Sequence, residues 1–400
     1  MMASGAAAER GADVILFEKN RRQGRKLLLT GKGRCNITNA DYSPQSFLGR
    51  FGKKGRYLNS VLHSFGVEEA MNFFTSRGLP LKVERGNRVF PETGRAADVL
   101  RVLGEYLAEY GGRVKPGHEI REIIRAGNHI ERILTDTCEV TAKQYLLCTG
   151  GLSYPATGST GTGLEFAREL GHTVVRPRPS LVPVILREKW AAGLEGLSLK
   201  NVTVSLIHEG KRVSSEFGEA LFTSNGMSGP VILDLSQKIG ELLPARLELS
   251  IDLKPALEFK VLDDRLQRDF SDNPTRQFKN SLARLLPASL IPVIVRLCGI
   301  DTRKSVSHLT REERKRLVHM LKDLRAHVTG LEGFDKAIIT AGGVSLDEID
   351  MRTMRSRIIE NLYFAGEIID IDGPTGGYNL QMCWSTGYAA GKASAEALGK

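Results

Sequence analysis

The chain has 400 residues, of which 41% are hydrophobic and 26% are charged, and it carries a formal net charge of +10. This composition is ordinary for a soluble globular protein, and the length predicts two or three domains. No apolar run approaches the roughly 20 residues that a membrane-spanning helix needs. No secretory leader opens the chain, so we expect a cytoplasmic protein without a membrane segment.

The five cysteines are isolated from one another, without a Cys-x-x-Cys pair. This pattern argues against a disulfide framework and against a zinc site. It also argues against the flavoenzymes that work through a neighbouring dithiol. The eight histidines show no metal-binding spacing, so we expect no metal.

The first elements predict the second half of a Rossmann βαβ unit. Met1–Arg10 is a helix of small residues that Gly11 ends, and the apolar strand Asp13–Glu18 follows. An acid at this place accepts hydrogen bonds from an adenosine ribose, about 20 residues after the phosphate-binding glycine loop. Counting back from Glu18 puts that loop before Met1, so we expect the first strand and the glycine turn to be missing. The alternative for Glu18 is a solvated strand-end carboxylate.

A basic segment follows the first strand. Residues 19–57 contain eleven Lys or Arg against one acid, Asp41, which gives this segment a net charge of +10. Such a segment could bind pyrophosphate, a phosphorylated nicotinamide cofactor or RNA, or it could be a solvated loop. Within it, Thr30–Asn39 has the glycines of a tight loop.

The middle of the chain alternates between strands and helices. We expect an amphipathic helix over Ala96–Tyr110, strands within Val114–Cys138, and a central strand over Tyr145–Gly151 that ends in a glycine pair. Gly158–Gly163 then opens a short helix. It lacks the Gly-Lys-Ser/Thr of a P-loop, so we interpret it as a turn beside the active cleft.

From about Ser180 short β-like runs separated by glycine-rich turns predict a small inserted barrel or sandwich. The runs are Leu181–Leu186, Leu199–His208, Arg212–Phe217, Ala220–Thr223 and Leu247–Leu253. Residues 256–327 then become helical and charged. Thr310 and Glu313 form a capping box, and the apolar stripe behind them consists of Leu317, Met320, Leu321 and Leu324.

The end of the chain returns to strands that are followed by glycines. Ala337–Val344 is one such strand, and Asn361–Glu367 is another. The glycine-rich loop 368–379 comes next and precedes a helix over Leu380–Leu398. Its glycines let backbone N–H groups approach a ligand, and the helix N-terminus favours an anion or an electron-rich ring edge. The alternative is a plain glycine-rich turn.

Four stretches together resemble one family. They are Thr30–Asn39, Val89–Arg95, Cys148–Pro155 and the stretch from Ala365 to Gly387. They resemble the NAD(P)/FAD-dependent oxidoreductases of the BaiN and RdsA type, also called YhiN-like flavoproteins. The resemblance covers essentially the whole chain. It implies an α/β fold, with a Rossmann-like FAD-binding domain of the two-dinucleotide-fold type and an inserted β-barrel and helical region.

This organisation predicts four segments. The FAD-binding domain consists of residues 1–180, without the first strand and glycine loop, and of residues 331–400. The inserted barrel is expected over 181–255 and the helical insertion over 256–330.

The resemblance also implies the site residues. Candidate proton donors beside the flavin are Cys35, Tyr378 and Cys383, and Arg34 is expected to stabilise negative charge on a reduced flavin. The expected FAD-binding residues are Glu18, Lys19, Arg34, Asn36, Thr38, Thr149, Gly150, Gly343, Gly366, Glu367, Asp372, Gly373, Gly376, Gly377, Tyr378 and Asn379. Because the phosphate loop is missing, we expect this polypeptide to bind FAD weakly or not at all.

The implied reaction is the reduction of an electron-poor C=C bond, with NAD(P)H as the electron donor to FAD. Family members are linked to conjugated double bonds of bile-acid intermediates and to dihydrouridine in ribosomal RNA. The basic segment 19–57 favours RNA. The alternatives are a small-molecule enone reductase and a cofactor-free protein that binds RNA or another partner. The sequence leaves the choice between NADH and NADPH open, as well as the oligomeric state.

Overall fold

A computed structural model describes residues 1–399, which divide into two compact units. One unit consists of Met1–Ser180 together with the segment from Phe334 onward, and the other is Leu181–Gly333. The second unit is therefore an insertion in the chain of the first. No helix within residues 1–399 is long and apolar enough to cross a membrane.

The first segment of the first unit contains seven α-helices and ten strands within the described residues. They are α1 Met2–Ala8, β1 Ile15–Glu18, α2 Arg25–Gly33, β2 Thr38–Asn39, α3 Pro44–Gly49, α4 Asn59–Ser64, α5 Val67–Ser76, β3 Leu81–Glu84, β4 Arg88–Pro91, α6 Ala96–Glu109, β5 Arg113–Pro116, β6 Ile120–Ala126, β7 His129–Thr135, β8 Glu139–Val140, β9 Tyr145–Leu147, α7 Thr162–Glu169 and β10 Val174–Ser180.

The inserted unit and the return segment complete the chain. The inserted unit contains β11 Val184–Leu186, α8 Lys189–Ala192, β12 Ser198–His208, β13 Lys211–Thr223, β14 Gly226–Ser228, α9 Pro230–Leu242, β15 Leu247–Asp252, α10 Phe259–Ser271, α11 Phe278–Ser281, α12 Ile291–Cys298, α13 Arg311–Lys322 and β16 Leu324–Leu331. The return segment contains β17 Ile339–Val344, β18 Ile349–Asp350, β19 Arg355–Ser356, β20 Leu362–Phe364 and α14 Tyr378–Glu396.

The small residues of α1 allow two helices to pack closely. A Cβ atom at Gly391 of α14 would lie 2.1 Å from the backbone oxygen of Ala3, and a Cβ atom at Gly5 would lie 2.2 Å from the ring of Tyr106. Only glycine fits at either place, because real Cβ atoms do not approach other atoms so closely. Gly11, with φ of 82°, lies between α1 and β1, as the sequence pattern predicts.

The parallel strands of the first unit lie in two short sheets. β1 pairs in parallel with β5, and β9 pairs in parallel with β20. In the part of the chain that the structure describes, β1 has a strand partner on one side only, and β9 is also an edge strand. The apolar residues of β20 are buried, as expected for a strand inside a doubly wound fold.

The inserted unit is built around a closed barrel with the strand order β11-β14-β13-β12-β15-β16. Alternate residues of β15, namely Leu247, Leu249 and Ile251, are buried, which is the pattern of a strand with one face toward a core. The same apolar core includes residues of the helices, such as Leu262 of α10 and Leu317 of α13. The predicted inserted barrel and helical region are therefore confirmed.

The start of α13 agrees with the sequence, but its end does not. The amide of Glu313 donates to Thr310 Oγ1 at 3.2 Å, and the amide of Thr310 donates to Glu313 Oε2 at 2.8 Å, which completes the capping box. Leu324 was expected on the apolar stripe of this helix and instead begins β16. Helical backbone ends at Asp323 (φ −150°), and Leu324 then pairs with Ile251 of the barrel. A short apolar run is compatible with either a helix or a strand. The pairing of Leu324 with the barrel therefore decides that this residue belongs to β16.

A buried histidine in the first unit makes folding sensitive to pH. His172 Nδ1 lies 3.3 Å from the Ala167 oxygen, and Nε2 lies 2.8 Å from Ser356 Oγ. Nδ1 therefore donates to the carbonyl, and in the neutral ring Nε2 can accept from the hydroxyl. Burial lowers the pKa of His172 below its ordinary 6.5.

A lowered histidine pKa gives stability that is present above pH 6.5 and is lost as the pH falls through the folded-state pKa. We therefore expect the melting temperature of the protein to fall between pH 7 and pH 5, and part of this fall to disappear in His172→Asn. Thermal unfolding across this pH range measures the effect. The matched control is His63→Asn at an exposed position, which should keep the wild-type profile. An unchanged profile in His172→Asn would contradict the assignment.

Candidate cofactor site

The strand ends of the first unit define the site. β1 ends at Glu18, β9 is followed by Cys148-Thr149-Gly150, and β20 is followed by Ala365-Gly366-Glu367. In open α/β sheets, ligands bind outside the carboxyl ends of the parallel strands. The β1 end contacts the segment after β9, because Lys19 Nζ donates to Thr160 Oγ1 at 2.7 Å. Asn20 Nδ2 also donates to the Thr157 oxygen at 3.0 Å.

Glu18 keeps one carboxylate oxygen available. Its Oε1 accepts from the backbone amide of Asn20 at 2.8 Å and from Asn20 Nδ2 at 2.7 Å. Its Oε2 makes no hydrogen bond within residues 1–399. The carboxylate is thus fixed in orientation and can still accept from the hydroxyls of a ribose.

Glu367, which was expected to bind the cofactor, also makes several contacts within the protein. Its Oε1 accepts from Ser153 Oγ at 2.9 Å and from the amide of Thr340 at 2.8 Å, and its Oε2 pairs with Lys26 Nζ at 2.6 Å. Lys26 also donates to Ser153 Oγ at 2.6 Å. One carboxylate therefore joins four parts of the chain, and Lys26, Ser153 and Thr340 were not predicted as site residues.

The glycine-rich loop before α14 is held by its own asparagine. Asn379 Oδ1 accepts from the amide of Gly373 at 2.9 Å, and Asn379 Nδ2 donates to the oxygens of Gly373 and Pro374 at 2.9 and 3.1 Å. Gly376 and Gly377 have φ of 112° and 105°, which L side chains rarely adopt. The loop thus reaches the N-terminus of the 19-residue helix α14 in a fixed conformation.

The start of α14 packs against β2. A Cβ atom at Gly377 would lie 2.3 Å from the carbonyl carbon and oxygen of Thr38. Thr38 Oγ1 donates to Gln381 Oε1 at 2.7 Å, and Gln381 Nε2 donates to the Gly66 oxygen at 2.9 Å. Gln381 is completely buried. The sequence analysis missed it, although a glutamine three residues into an apolar helix is a usable signal.

Arg34 and Asn36 lie on the kinked segment around Thr30–Lys32. Arg34 is engaged within the protein, since its Nη1 lies 2.9 Å from Glu84 Oε1 and its guanidinium lies 4.0 Å from the ring centroid of Phe90. Asn36 Oδ1 is buried and has no hydrogen-bond partner within residues 1–399. A buried acceptor without a donor is costly, so this position suits a ligand N–H.

Of the three candidate proton donors, Cys35 and Tyr378 are buried and Cys383 is partly exposed. Burial raises the pKa of the Cys35 thiol to about 12, and Cys35 belongs to an apolar core with Ile37 and Phe74. Burial also raises the pKa of Cys383 to about 12, with the Glu367 carboxylate adding to the shift. Tyr378 packs its ring 4.8 Å from Phe47. Both thiols therefore stay protonated near neutral pH, and their role as proton donors stays a prediction.

The other predicted residues line the same region. A Cβ atom at Gly163 would lie 1.9 Å from Thr149 Oγ1, so Thr149 lies against the start of α7. Gly150 has φ of 72°, and Gly343 has φ of 146°, where an added Cβ atom would lie 2.4 Å from the backbone oxygen of Ile368. Gly366 donates its amide to Thr386 Oγ1 at 3.0 Å.

A charged cluster next to the glycine-rich loop was not predicted. Lys54 Nζ lies 2.6 Å from Asp370 Oδ1 and 4.0 Å from Asp372 Oδ1, and Ser180 Oγ donates to Asp372 Oδ2 at 3.1 Å. Burial raises the pKa of Asp370, while Lys54 opposes the shift and Asp372 adds to it. Of this cluster only Asp372 was expected at the site.

These residues fit the adenosine and flavin ends of FAD. In this arrangement Glu18 would accept from a ribose hydroxyl, and Asn36 Oδ1, a buried acceptor without a donor within residues 1–399, would accept from a ligand N–H. FAD, when bound, supplies hydride transfer. Within residues 1–399 no group of three or more His, Cys, Asp or Glu side chains could hold a metal ion.

The fold and this site define a flavin-dependent oxidoreductase with a Rossmann-like FAD-binding domain. Residues 1–393 match the model of the HI0933-like protein Rossmann domain, so the chain belongs to the HI0933-like family. The resemblance drawn from the sequence motifs is thereby confirmed.

Curated relatives align over nearly the whole chain. The chain is 30% identical over 396 residues to the 3-dehydro-bile acid delta(4,6)-reductase of Clostridium scindens. This alignment covers 98% of this chain and 95% of the relative. It is also 30% identical over 387 residues to the ribosomal RNA dihydrouridine synthase of Haemophilus influenzae. This alignment covers 96% of this chain and 92% of that relative. The two names describe different substrates.

Solved structures share the fold. The 3-ketosteroid-delta4-(5alpha)-dehydrogenase of Rhodococcus jostii RHA1 matches with a TM-score of 0.52 and 14% identity, over 98% of this chain and 94% of that chain. A flavocytochrome c3 fumarate reductase matches with a TM-score of 0.51 and 15% identity, over 99% of this chain and 76% of that chain.

Proposed function

We propose that this protein uses FAD and NAD(P)H to reduce the C5=C6 bond of uridine in ribosomal RNA. The observation that carries the proposal is the exposed basic segment beside the site, taken together with the relatives named as ribosomal RNA dihydrouridine synthases. The reaction adds a hydride and a proton across an electron-poor double bond. A conjugated enone offers the same chemistry.

The basic segment supports RNA because most of its cations face outward. Lys26, Arg34 and Lys54 pair with acids of the protein. The exposed remainder consists of Arg21, Arg22, Arg25, Lys32, Arg50, Lys53 and Arg56. Cations without acidic partners attract the phosphate backbone, whereas a small steroid-like substrate has no need of them.

Dihydrouridine in ribosomal RNA tests the proposal directly. We expect ribosomal RNA from cells with the gene to contain a dihydrouridine that is absent after deletion, detected by its mass shift, and to regain it on complementation. Complementation with the combined variant Arg21→Ala, Arg22→Ala and Arg56→Ala should restore little of it. In vitro, RNA binding by the protein should weaken steeply as salt rises. Identical RNA with and without the gene would refute the proposal.

A small-molecule enone reductase is the second candidate, because the bile acid reductase of Clostridium scindens is as similar to this chain as the RNA enzyme of Haemophilus influenzae. Purified protein supplied with FAD and NAD(P)H distinguishes the two. Oxidation of the nicotinamide that depends on a steroid dienone, and not on ribosomal RNA, would favour this candidate.

A further inference from the structure

The inserted unit carries a concentration of positive charge that the cofactor site does not explain. Residues 273–309 contain six Lys or Arg against one acid, Asp301. Residues 181–272 of the same unit contain eleven Lys or Arg against fourteen acids. The positive charge of this unit is therefore concentrated around the short helices α11 and α12 and in the loop that follows them.

Two backbone hydrogen bonds bring three of these cations together. The three are named here the insertion basic surface and are Arg276, Lys279 and Arg303. The Val306 amide donates to the Arg276 oxygen at 3.0 Å, and the Phe278 amide donates to the Lys304 oxygen at 2.9 Å. Lys279 and Arg303 are the chain neighbours of this second pair, so they lie close to one another.

The insertion basic surface has no acid to neutralise it. All three side chains are exposed, and none forms an ion pair with a carboxylate within residues 1–399. Asp301 accepts from the backbone amide of Arg303 at 2.9 Å, and Lys304 pairs with Glu313 at 2.7 Å. Cations that lie close together repel one another, so this arrangement gains from a bound polyanion.

The cations that follow in helix α13 and strand β16 are different, because acids of the protein neutralise them. Three ion pairs with distances of 2.6 to 2.7 Å show this, namely Arg314–Asp263, Lys322–Asp252 and Arg325–Asp323. Lysines and arginines are therefore paired as a rule in this part of the unit. The insertion basic surface departs from that rule and stays available to an external anion.

We propose that the insertion basic surface binds the phosphate backbone of the RNA whose uridine is reduced. This inference rests on the proposed function. Two of the three cations are arginines, whose planar guanidinium groups suit phosphate oxygens. Three exposed polar side chains of the same segment can donate hydrogen bonds to phosphate and sugar oxygens, namely Thr275, Asn280 and Thr302.

The surface fits a nucleic acid better than a lipid bilayer. A helix that lies in a membrane interface needs several apolar side chains to insert beside its cations. Among residues 273–309 only one large hydrophobic side chain is exposed, that of Leu297. RNA needs no such anchors, since contacts to its phosphates are electrostatic and independent of base sequence.

Binding of the 400-residue chain to a fluorescent ribosomal RNA transcript tests the inference without flavin chemistry. We expect the triple variant Arg276→Gln, Lys279→Gln, Arg303→Gln to bind the transcript about 10-fold more weakly or worse at low salt. Each lost phosphate contact reduces the slope of log K against log salt concentration by about 0.7–0.9, so the slope should fall by about 2. The charge-keeping variant Arg276→Lys, Lys279→Arg, Arg303→Lys should retain the slope of the wild type.

The matched control removes the same charge elsewhere in the inserted unit. Lys200→Gln, Lys211→Gln, Arg212→Gln changes three exposed cations of β12 and β13 and should keep the slope of the wild type. Thermal unfolding checks that each variant folds. The glutamine variant of the insertion basic surface should melt at the wild-type temperature or above it, because it relieves repulsion between cations.

The outcomes separate this inference from the proposed function. Equal RNA binding by the wild type and the glutamine variant, or an equal loss in the control, would refute the insertion basic surface. Binding that requires the three cations on vesicles of phosphatidylcholine and phosphatidylserine, but not on RNA, would assign the surface to a membrane instead. RNA binding that requires them, in a protein whose gene adds no dihydrouridine to ribosomal RNA, would refute the proposed reaction and leave an RNA-binding surface.

Discussion

Gly377→Ala is expected to abolish FAD binding and to lower the stability of the first unit by roughly 2–6 kcal/mol. The residue has φ of 105°, and strain of this kind costs about 1–3 kcal/mol. The new Cβ atom would also lie 2.3 Å from the Thr38 carbonyl group, and overpacking of this kind costs about 1–3 kcal/mol more. Thr38 cannot move away freely, because it pairs with Val89 of β4 and hydrogen-bonds to Gln381.

Urea unfolding and titration with FAD, followed by flavin fluorescence, measure the two effects. Gly78→Ala is the matched control, because Gly78 has φ of 75° and no atom within 4 Å of its added Cβ. Gly78→Ala should show the destabilisation from backbone strain, without a steric clash of the added Cβ atom. It should also keep the FAD affinity of the wild type. If the two variants behave alike, the approach of α14 to β2 does not shape the site.

The sequence predicts the helices, strands and caps that are determined by residues close together in the chain. The helix α1, the strand β1 with its terminal acid, the capping box at Thr310 and the barrel strands follow from local periodicity and turn residues. Where local signals allow two structures, the prediction is wrong, as at Leu324. The strand β13 was also expected as two runs, and it is one strand because Gly218 pairs with Val202 without ending the ladder.

Contacts between distant segments were not predictable in this way. Lys26 and Glu367 are 341 residues apart, and Thr38 and Gln381 are 343 apart. Nothing in a single sequence says which lysine of a basic segment faces which acid. The resemblance located the loops of the site, and only the folded chain shows that Glu367 is occupied by three donors and that Lys54 lies beside Asp370.

The insertion point of the second unit has an evolutionary consequence. Ser180 and Ile339, which flank the inserted unit, are paired on the antiparallel strands β10 and β17, and Val184 and Leu331 are paired just inside it. The chain thus leaves and re-enters the first unit at neighbouring positions, and a short hairpin could join them with little loop entropy. The inserted unit can therefore lengthen, shrink or be exchanged between genes while the cofactor-binding unit keeps its folding pattern.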